Sequence, residues 1–330
     1  MIAKRDDVHA ERAGSTSMAA VVEARRVLVP DIVELTLRPD RLVAAAPPGS
    51  HVDVTVDLLN GPETRSYSLV DLGHRDGRYR IAVRLDPRGR GGSRWMHALQ
   101  CGARIALDGP ISEFPPGPHR RPSVLLAGGI GITPVVGLAR AMRDGGADYR
   151  IVYTGKSRAR MAFVDHLELE HPGRVHIVES ERGTRLDVEQ VVADVPADGV
   201  LYVCGPMSLL TAIRAAWQRM GRTPGDLRFE TFGTSGALPS VPFQVKVPAR
   251  GLTIEVPTGV TLLDALENAG VELMYDCLRG ECGLCRVKVL TAEGVMDHRD
   301  VYLSERQRAE GAVLCACVSR VAGPSVTLDC

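Results

Sequence analysis

Apolar and polar positions alternate in short runs through roughly the first hundred residues. Runs at 21–27 and 32–37 have period two, and similar runs recur at 51–58, 67–69, 79–83 and 103–107. A half-buried strand needs that period, because successive side chains leave it on opposite faces. Pro30, Pro39, Pro47-Pro48-Gly49 and Asn60-Gly61-Pro62 interrupt the runs and predict turns. Many short strands and few helical stretches predict an antiparallel β-barrel over 18–118. Residues 1–17 are polar and read as a disordered tail.

Past the Pro-rich stretch at 114–118 the pattern changes. A continuous apolar run at 123–127 is followed by glycines and an amphipathic stretch over 135–142. Apolar runs return at 149–153, 175–179 and 200–204, separated by helical stretches such as 162–170 and 208–220. Strands alternating with helices predict a doubly wound parallel sheet, an α/β domain over 119–232. Gly, Ser and Pro dominate the next stretch and predict a linker at 233–241. A third domain over 242–330 opens with strands at 243–247 and 252–256 and a helix over 261–269, which Thr261 caps and Gly270 stops.

Composition narrows the function. The chain has 330 residues, 45% hydrophobic, with 40 basic and 40 acidic side chains. That balance argues against nucleic acid as the main partner, since neutralising phosphates needs a basic surface. No apolar run approaches the roughly 18 residues of a membrane span and no secretory leader is evident, so a cytoplasmic location is expected. Eight cysteines are too sparse here for a disulfide scaffold. Five of them cluster near the end, which predicts reduced thiols plus one metal centre.

The cysteine pattern carries the most specific chemistry. Cys277, Cys282 and Cys285 have the spacing C-x4-C-x2-C, answered about thirty residues later by Cys315 and Cys317. This is the plant-type 2Fe-2S pattern, in which one tight loop supplies three thiolates and a distant residue the fourth. A zinc site would more usually show two C-x2-C knuckles. Spacing alone leaves the fourth ligand open between Cys315 and Cys317, which would share a face if the tail is a strand.

Two further motifs suit phosphates. Arg65-Ser66-Tyr67-Ser68-Leu69 offers a guanidinium, two hydroxyls and a flat ring at the opening of a barrel strand. Gly89-Arg90-Gly91-Gly92-Ser93 precedes a helix expected over 93–99, so backbone N–H groups can face an anion. Between a buried strand and a helix, Gly128, Gly129, Gly131, Thr133 and Pro134 form a turn that can approach a pyrophosphate closely, although Pro134 stands where the G-x-G-x-x-G pattern has its third glycine. Cys204-Gly205-Pro206 ends another strand, where α/β sheets bind ligands, and can hold the nicotinamide end. Lys156, Ser157, Arg158 and Arg160 form a basic turn that a 2′-phosphate could use.

Assembled in this order, the motifs resemble the phthalate dioxygenase reductase family, which includes vanillate demethylase reductases. The likeness runs from about Ala20 to the C-terminus and extends to Phe229-Glu230-Thr231-Phe232-Gly233, Asp297-His298-Arg299-Asp300-Val301-Tyr302-Leu303 and Cys317-Val318-Ser319-Arg320. The resemblance implies a flavin barrel, a pyridine-nucleotide domain and a C-terminal β-grasp ferredoxin domain. It also implies that Arg65, Tyr67 and Ser68 hold FMN, that Ala82, Val83 and Arg84 lie along its ring, and that Gly91, Gly92 and Ser93 meet its phosphate. Phe232 and its neighbours would close over the flavin region, and Cys317 would be the fourth cluster ligand.

The activity so implied is a monomeric NADH-dependent reductase component, feeding a terminal oxygenase, most naturally of the Rieske type, in aromatic hydrocarbon catabolism. Hydride from NADH would reach FMN, and single electrons would leave through the 2Fe-2S cluster, with no side chain needed as general acid or base. A haem-thiolate monooxygenase as client and a non-enzymatic redox sensor are the alternatives. Cys315, Cys330 and a long loop expected over 290–296 depart from the family pattern.

Overall fold

The strand Ser50–Leu58 shows why the first sheet curls on itself. Val52, Val54 and Val56 are fully buried, while Asp53, Thr55 and Asp57 turn to the other face. Burying each such valine is worth about 1.5–3 kcal/mol, which fixes the register of the strand. Six strands follow this logic: β1 (Met18–Val29), β2 (Ile32–Pro39), β3 (Ser50–Leu58), β4 (Gly61–Ser68), β5 (Tyr79–Arg84) and β6 (Arg104–Ser112), paired antiparallel in the order β4-β3-β6-β1-β2-β5. An antiparallel bridge between Leu69 and Ile81 joins the two ends, so the sheet closes into the expected barrel. Strand β4 begins at Gly61, well before the strand expected from Tyr67. Pro62 is tolerated there because β4 is an edge strand along most of its length.

The helix α1 (Gly92–Ala98) follows β5, and after β6 the chain enters a parallel sheet. Its strands are β7 (Ser123–Gly128), β8 (Tyr149–Gly155), β9 (Val175–Glu179), β10 (Val200–Cys204) and β11 (Leu227–Glu230), in the order β11-β10-β7-β8-β9. Every residue of β7 and β10 is buried, as central strands covered on both faces require. Helices α2 (Ile132–Asp144), α3 (Val164–Glu170), α4 (Val188–Ala193) and α5 (Met207–Arg219) connect them. The strand order reverses between β7 and β10, which makes their carboxyl ends the switch point of the sheet.

The third sheet comprises β12 (Phe243–Val247), β13 (Leu252–Val256), β14 (Arg286–Asp297), β15 (Val313–Cys315) and β16 (Arg320–Asp329), ordered β13-β12-β16-β14-β15. Its β12–β16 pair is parallel and the other pairs are antiparallel, the mixed sheet of a β-grasp domain. Helix α6 (Leu262–Asn268) packs Leu262, Leu263 and Leu266 into the core of this sheet. It is capped as expected, with the Thr261 hydroxyl accepting the Asp264 N–H at 3.0 Å. A short helix α7 (Glu305–Glu310) carries a Ser304/Gln307 capping box. The loop expected over 290–296 is instead part of the long strand β14, which absorbs two register shifts against β16. Gly294 and Gly323 let those strands approach where a side chain would strike backbone.

The computed structural model describes residues 18–330 apart from 42, 44–45, 59–60, 74–75, 88, 118–120, 233–237 and 239. The expected tail at 1–17 and most of the linker expected at 233–241 therefore lie outside the described residues. The chain divides into two compact units, one holding the barrel and the parallel sheet through Glu230, the other holding 206–208 and everything from Thr231. Among the described residues no helix is long and apolar enough to cross a membrane.

Candidate cofactor sites

Alternation along β4 sorts the first motif. Arg65 and Tyr67 are partly covered and share a face, while Ser66 points the other way, where its hydroxyl donates to Asp53 at 2.5 Å. Ser66 is thereby separated from the proposed flavin side. Burial pushes the Tyr67 phenol well above its ordinary range, opposed by the nearby Arg65 charge. Ser68 is buried, and its hydroxyl donates to the buried carboxylate of Glu230 at 3.4 Å. That pairing links positions 162 residues apart, so no local signal could have revealed it.

The Arg65 side chain lies across the glycine turn that opens α1. A Cβ on Gly92 would sit 2.9 Å from Arg65 Nε, and Gly91 has φ +101°, a conformation that favours glycine. A guanidinium over Gly92, next to the left-handed Gly91, is a cradle that fits a phosphate. At present Arg65 donates to Glu63 at 2.6 Å, and Arg90 lies 3.6 Å from the same carboxylate. The Ser93 hydroxyl accepts the Asp86 N–H at 3.0 Å.

On β5 the alternation again divides the expected residues. Val83 fills the barrel core, whereas Ala82 packs with the parallel-sheet core and Arg84 is exposed. Val83 can therefore line a site only through its main chain. The Arg84 guanidinium reaches Gly129, where a Cβ would meet it at 3.4 Å.

The nucleotide motifs meet at the switch point. A Cβ on Gly131 would fall 2.1 Å from the Cys204 carbonyl oxygen, and one on Gly205 would fall 3.1 Å from Gly128. The two glycine turns are thus packed backbone to backbone at the carboxyl ends of β7 and β10. Pro134 sits in the first turn of α2, where its missing N–H has no intrahelical partner to lose. The Thr133 hydroxyl is buried and donates to Ile130 O at 3.1 Å, so it serves the turn itself. Cys204 is wholly buried in the core, and Pro206 leads into α5. Replacing Gly131 by Ala would drive a methyl into immovable backbone. The variant is expected to unfold several degrees earlier, at a cost of about 1–3 kcal/mol, and to show a raised KM for reduced nucleotide.

Both arginines of the basic turn after β8 are already paired with carboxylates. Arg158 grips Glu168 through two bonds of 2.5 and 2.9 Å, and Arg160 lies 3.3 Å from Asp31. Beside it, the Glu179 carboxylate accepts the Arg158 N–H at 2.8 Å; Ser157 carries the extended residue just before this turn.

In the second unit the cysteine loop wraps its thiols in main-chain donors. Cys277 Sγ accepts N–H groups of Arg279, Glu281 and Cys282 at 3.3–3.4 Å. Burial raises the Cys277 thiol against those bonds. Gly280 and Gly283 have φ of +76° and +72°, and side chains there would strike the Asp300 backbone and the Tyr302 ring. The motifs at 297–303 and 317–320 brace the loop from behind. Gly280 O accepts Val301 N–H at 2.9 Å, Arg299 pairs with Asp297 at 2.7 Å, and Arg320 donates to the carbonyls of Val260, Val241 and Pro257. Thr231, in the 229–232 segment expected to close over the flavin, donates its hydroxyl to Glu281 at 2.7 Å and anchors the cysteine loop. Phe232, next to it, is partly exposed.

Cys315 ends β15 and Cys317 follows in a turn, so the two do not share a strand face as the spacing suggested. Both are buried, and their thiols beside that of Cys285 hold it below its ordinary range against its burial. Cys277, Cys282 and Cys285 thus stand in one loop, and Ala316, between Cys315 and Cys317, donates its N–H to Cys285 O at 3.0 Å. Among the described residues no three His, Cys, Asp or Glu side chains converge on one ion position. Three thiols on one tight loop with a fourth from a distant turn suit a 2Fe-2S centre.

Comparison with known proteins bears on both sites. Residues 20–115 match the oxidoreductase FAD-binding domain and residues 245–322 the 2Fe-2S iron-sulfur cluster binding domain. The phenoxybenzoate dioxygenase subunit beta of Ectopseudomonas oleovorans is 36% identical over 305 residues, 91% of this chain and 93% of that protein. The structure of phthalate dioxygenase reductase, described as modular for electron transfer from pyridine nucleotides to 2Fe-2S, superposes with a TM-score of 0.73 at 29% identity, covering 95% of this chain and 98% of the other. The chain belongs to the phthalate dioxygenase reductase family. It is a flavin and iron-sulfur oxidoreductase, with flavin barrel, nucleotide sheet and ferredoxin domain in the family's order. It also matches an intact type IV self-sufficient cytochrome P450 monooxygenase at 35% identity and TM-score 0.65, covering 95% of this chain but only 41% of that one.

Proposed function

We propose that this reductase takes hydride from NADH on FMN and passes single electrons through a 2Fe-2S cluster to a terminal oxygenase of the Rieske type. The observation that carries the reading is the loop of Cys277, Cys282 and Cys285, whose N–H groups face the Cys277 sulfur and whose Cys285 carbonyl accepts Ala316 N–H from the turn that bears Cys317. When bound, the flavin accepts electrons as a pair and releases them singly to a cluster that carries one at a time.

The remaining work belongs to the chain. Arg65 with Gly91 and Gly92 holds the FMN phosphate, Tyr67 and Ala82 wall the ring, and Ser68 presents a hydroxyl fixed by Glu230. Gly128, Gly129 and Gly131 receive the pyrophosphate beside Arg84, and the Cys204-Gly205 turn bounds the nicotinamide end. Loop amides lower the cost of thiolate charge at Cys277. Because Arg158 and Arg160 are committed to carboxylates, a 2′-phosphate would have to break ion pairs to bind. NADH is therefore expected to exceed NADPH in kcat/KM by more than about tenfold, roughly 1.4 kcal/mol of discrimination; parity between the two would sink the assignment.

Dioxygenase naming in the Ectopseudomonas relative supports a Rieske client. A cytoplasmic setting and a monomeric state complete this reading. The full-length overlap with part of a cytochrome P450 monooxygenase favours a second reading, delivery to a haem-thiolate centre. Absorbance spectra with extracted cofactor and iron content, followed by NADH-driven reduction of a Rieske oxygenase and of a P450 side by side, test both. A colourless or zinc-loaded protein removes the proposal.

A further inference from the structure

Arg158 is exposed in the turn that follows β8, where a ligand can reach it, yet its donors already serve anions of the same chain. Its guanidinium forks onto the Glu168 carboxylate, with one of the two bonds at 2.9 Å, and lies 3.3 Å from Asp165. Its main-chain N–H donates to Glu179 at 2.8 Å, and Arg182 Nε stands 3.3 Å from that same carboxylate. Three elements build this arrangement: the turn itself, the carboxyl end of β9 with Glu179, and α3 with Asp165 and Glu168. In a doubly wound sheet the strand beside the glycine-turn strand ends at the 2′ position of the adenine ribose, where an acidic residue suits NAD and an arginine suits NADP. Here β8 is that strand, paired with β7 as far as Gly128 and Thr154, and the turn after it holds both chemistries at once.

We propose that this turn is a 2′-phosphate site filled by the chain's own carboxylate, so that Glu168, by occupying Arg158, determines the preference for NADH. The inference rests on the proposed NADH reading. A carboxylate and a phosphate both accept two parallel N–H bonds from a guanidinium, so Glu168 takes the bonds that 2′-phosphate oxygens would make. Parting an exposed ion pair costs little in itself. The larger penalty is electrostatic: a displaced Glu168, with Asp165 and Glu179 close by, would face a phosphate carrying nearly two negative charges. A ribose hydroxyl meets no such repulsion, and it leaves the Arg158–Glu168 pair intact. Glu168 is thus a specificity-determining residue that acts through Arg158.

The test uses the full chain with its cofactors bound, as wild type, Glu168→Ala and the double variant Glu168→Ala/Arg158→Ala. Ferricyanide reduction is followed with NADH and with NADPH, and inhibition of the NADH reaction by 2′,5′-ADP is compared with inhibition by ADP. Each ratio is taken on one preparation, so a partial loss of folded protein cancels from it. Glu168→Ala is expected to raise the NADPH-to-NADH ratio of kcat/KM by about tenfold, chiefly through a lower KM for NADPH, because a charge-assisted bond from Arg158 becomes free for the phosphate. The same variant should bind 2′,5′-ADP better than wild type does, relative to ADP. Removing Arg158 as well should cancel both gains. A ratio unmoved in Glu168→Ala, with the wild type still preferring NADH, overturns the proposal and leaves the NADH reading standing. Gains that survive the loss of Arg158 overturn it too, because the removed negative charge alone would then explain them. Parity between the two nucleotides in the wild type overturns the NADH reading and this proposal with it.

Discussion

Cys317→Ala is expected to leave a protein that still binds flavin but has lost its iron. Cys317 lies buried in the turn after β15, so removing it takes away the proposed fourth thiol and leaves the other three in place. Loss of an outer partner of a metal ligand typically costs 10–100-fold in affinity, and loss of the ligand itself should exceed about 100-fold. NADH-driven reduction of cytochrome c, a one-electron acceptor, should fall by at least that factor. Reduction of ferricyanide directly from the flavin should persist within about twofold, because the barrel and the parallel sheet form a unit of their own. Iron analysis and the two acceptor assays on one preparation decide the matter. Retention of full iron in Cys317→Ala, with loss in Cys315→Ala, would exchange the roles given to these two cysteines.

The exchange of roles is worth testing because the sequence could not separate the two residues by itself. Spacing placed both in the ligand window, and the turn that parts them is formed by hydrogen bonds to Cys315 O that no pattern announces. Elsewhere, periodicity was enough. The valines of β3 and the capped helix α6 follow from side-chain alternation and a threonine before a helical stretch, both local properties. Positions of the glycine motifs were also legible, because a turn between a strand and a helix is local. What escaped was the partner of each polar side chain. Ser66, Val83 and Thr133 stand within their expected motifs, yet their side chains turn to Asp53, the barrel core and Ile130 O. Glu230 and Thr231 show the converse, since each meets its partner only after domains of the chain have folded around it. The long strand β14 was missed because two bulges break its period.

Glu63 is one more residue that folding brings into play, and it sets the second prediction. Its carboxylate holds Arg65 at 2.6 Å and lies 3.6 Å from Arg90, directly beside the cradle formed with Gly91 and Gly92. Arg65→Ala should therefore weaken FMN binding strongly, since a hydrogen bond to a charged group contributes about 1.5–3 kcal/mol, or about 10–150-fold in Kd. Arg65→Lys should recover only part of this, because a point charge cannot reproduce the two-pronged guanidinium. Glu63→Gln should act in the opposite direction. Removing a negative charge beside a phosphate and freeing Arg65 is expected to tighten FMN by several-fold, most clearly at low salt where exposed charges are least screened. Fluorescence titration of apoprotein with FMN at two ionic strengths measures all three. Equal affinity in wild type and Arg65→Ala would place the phosphate elsewhere on the barrel, and weaker binding in Glu63→Gln would mean that the carboxylate orients Arg65 for the phosphate rather than competing with it.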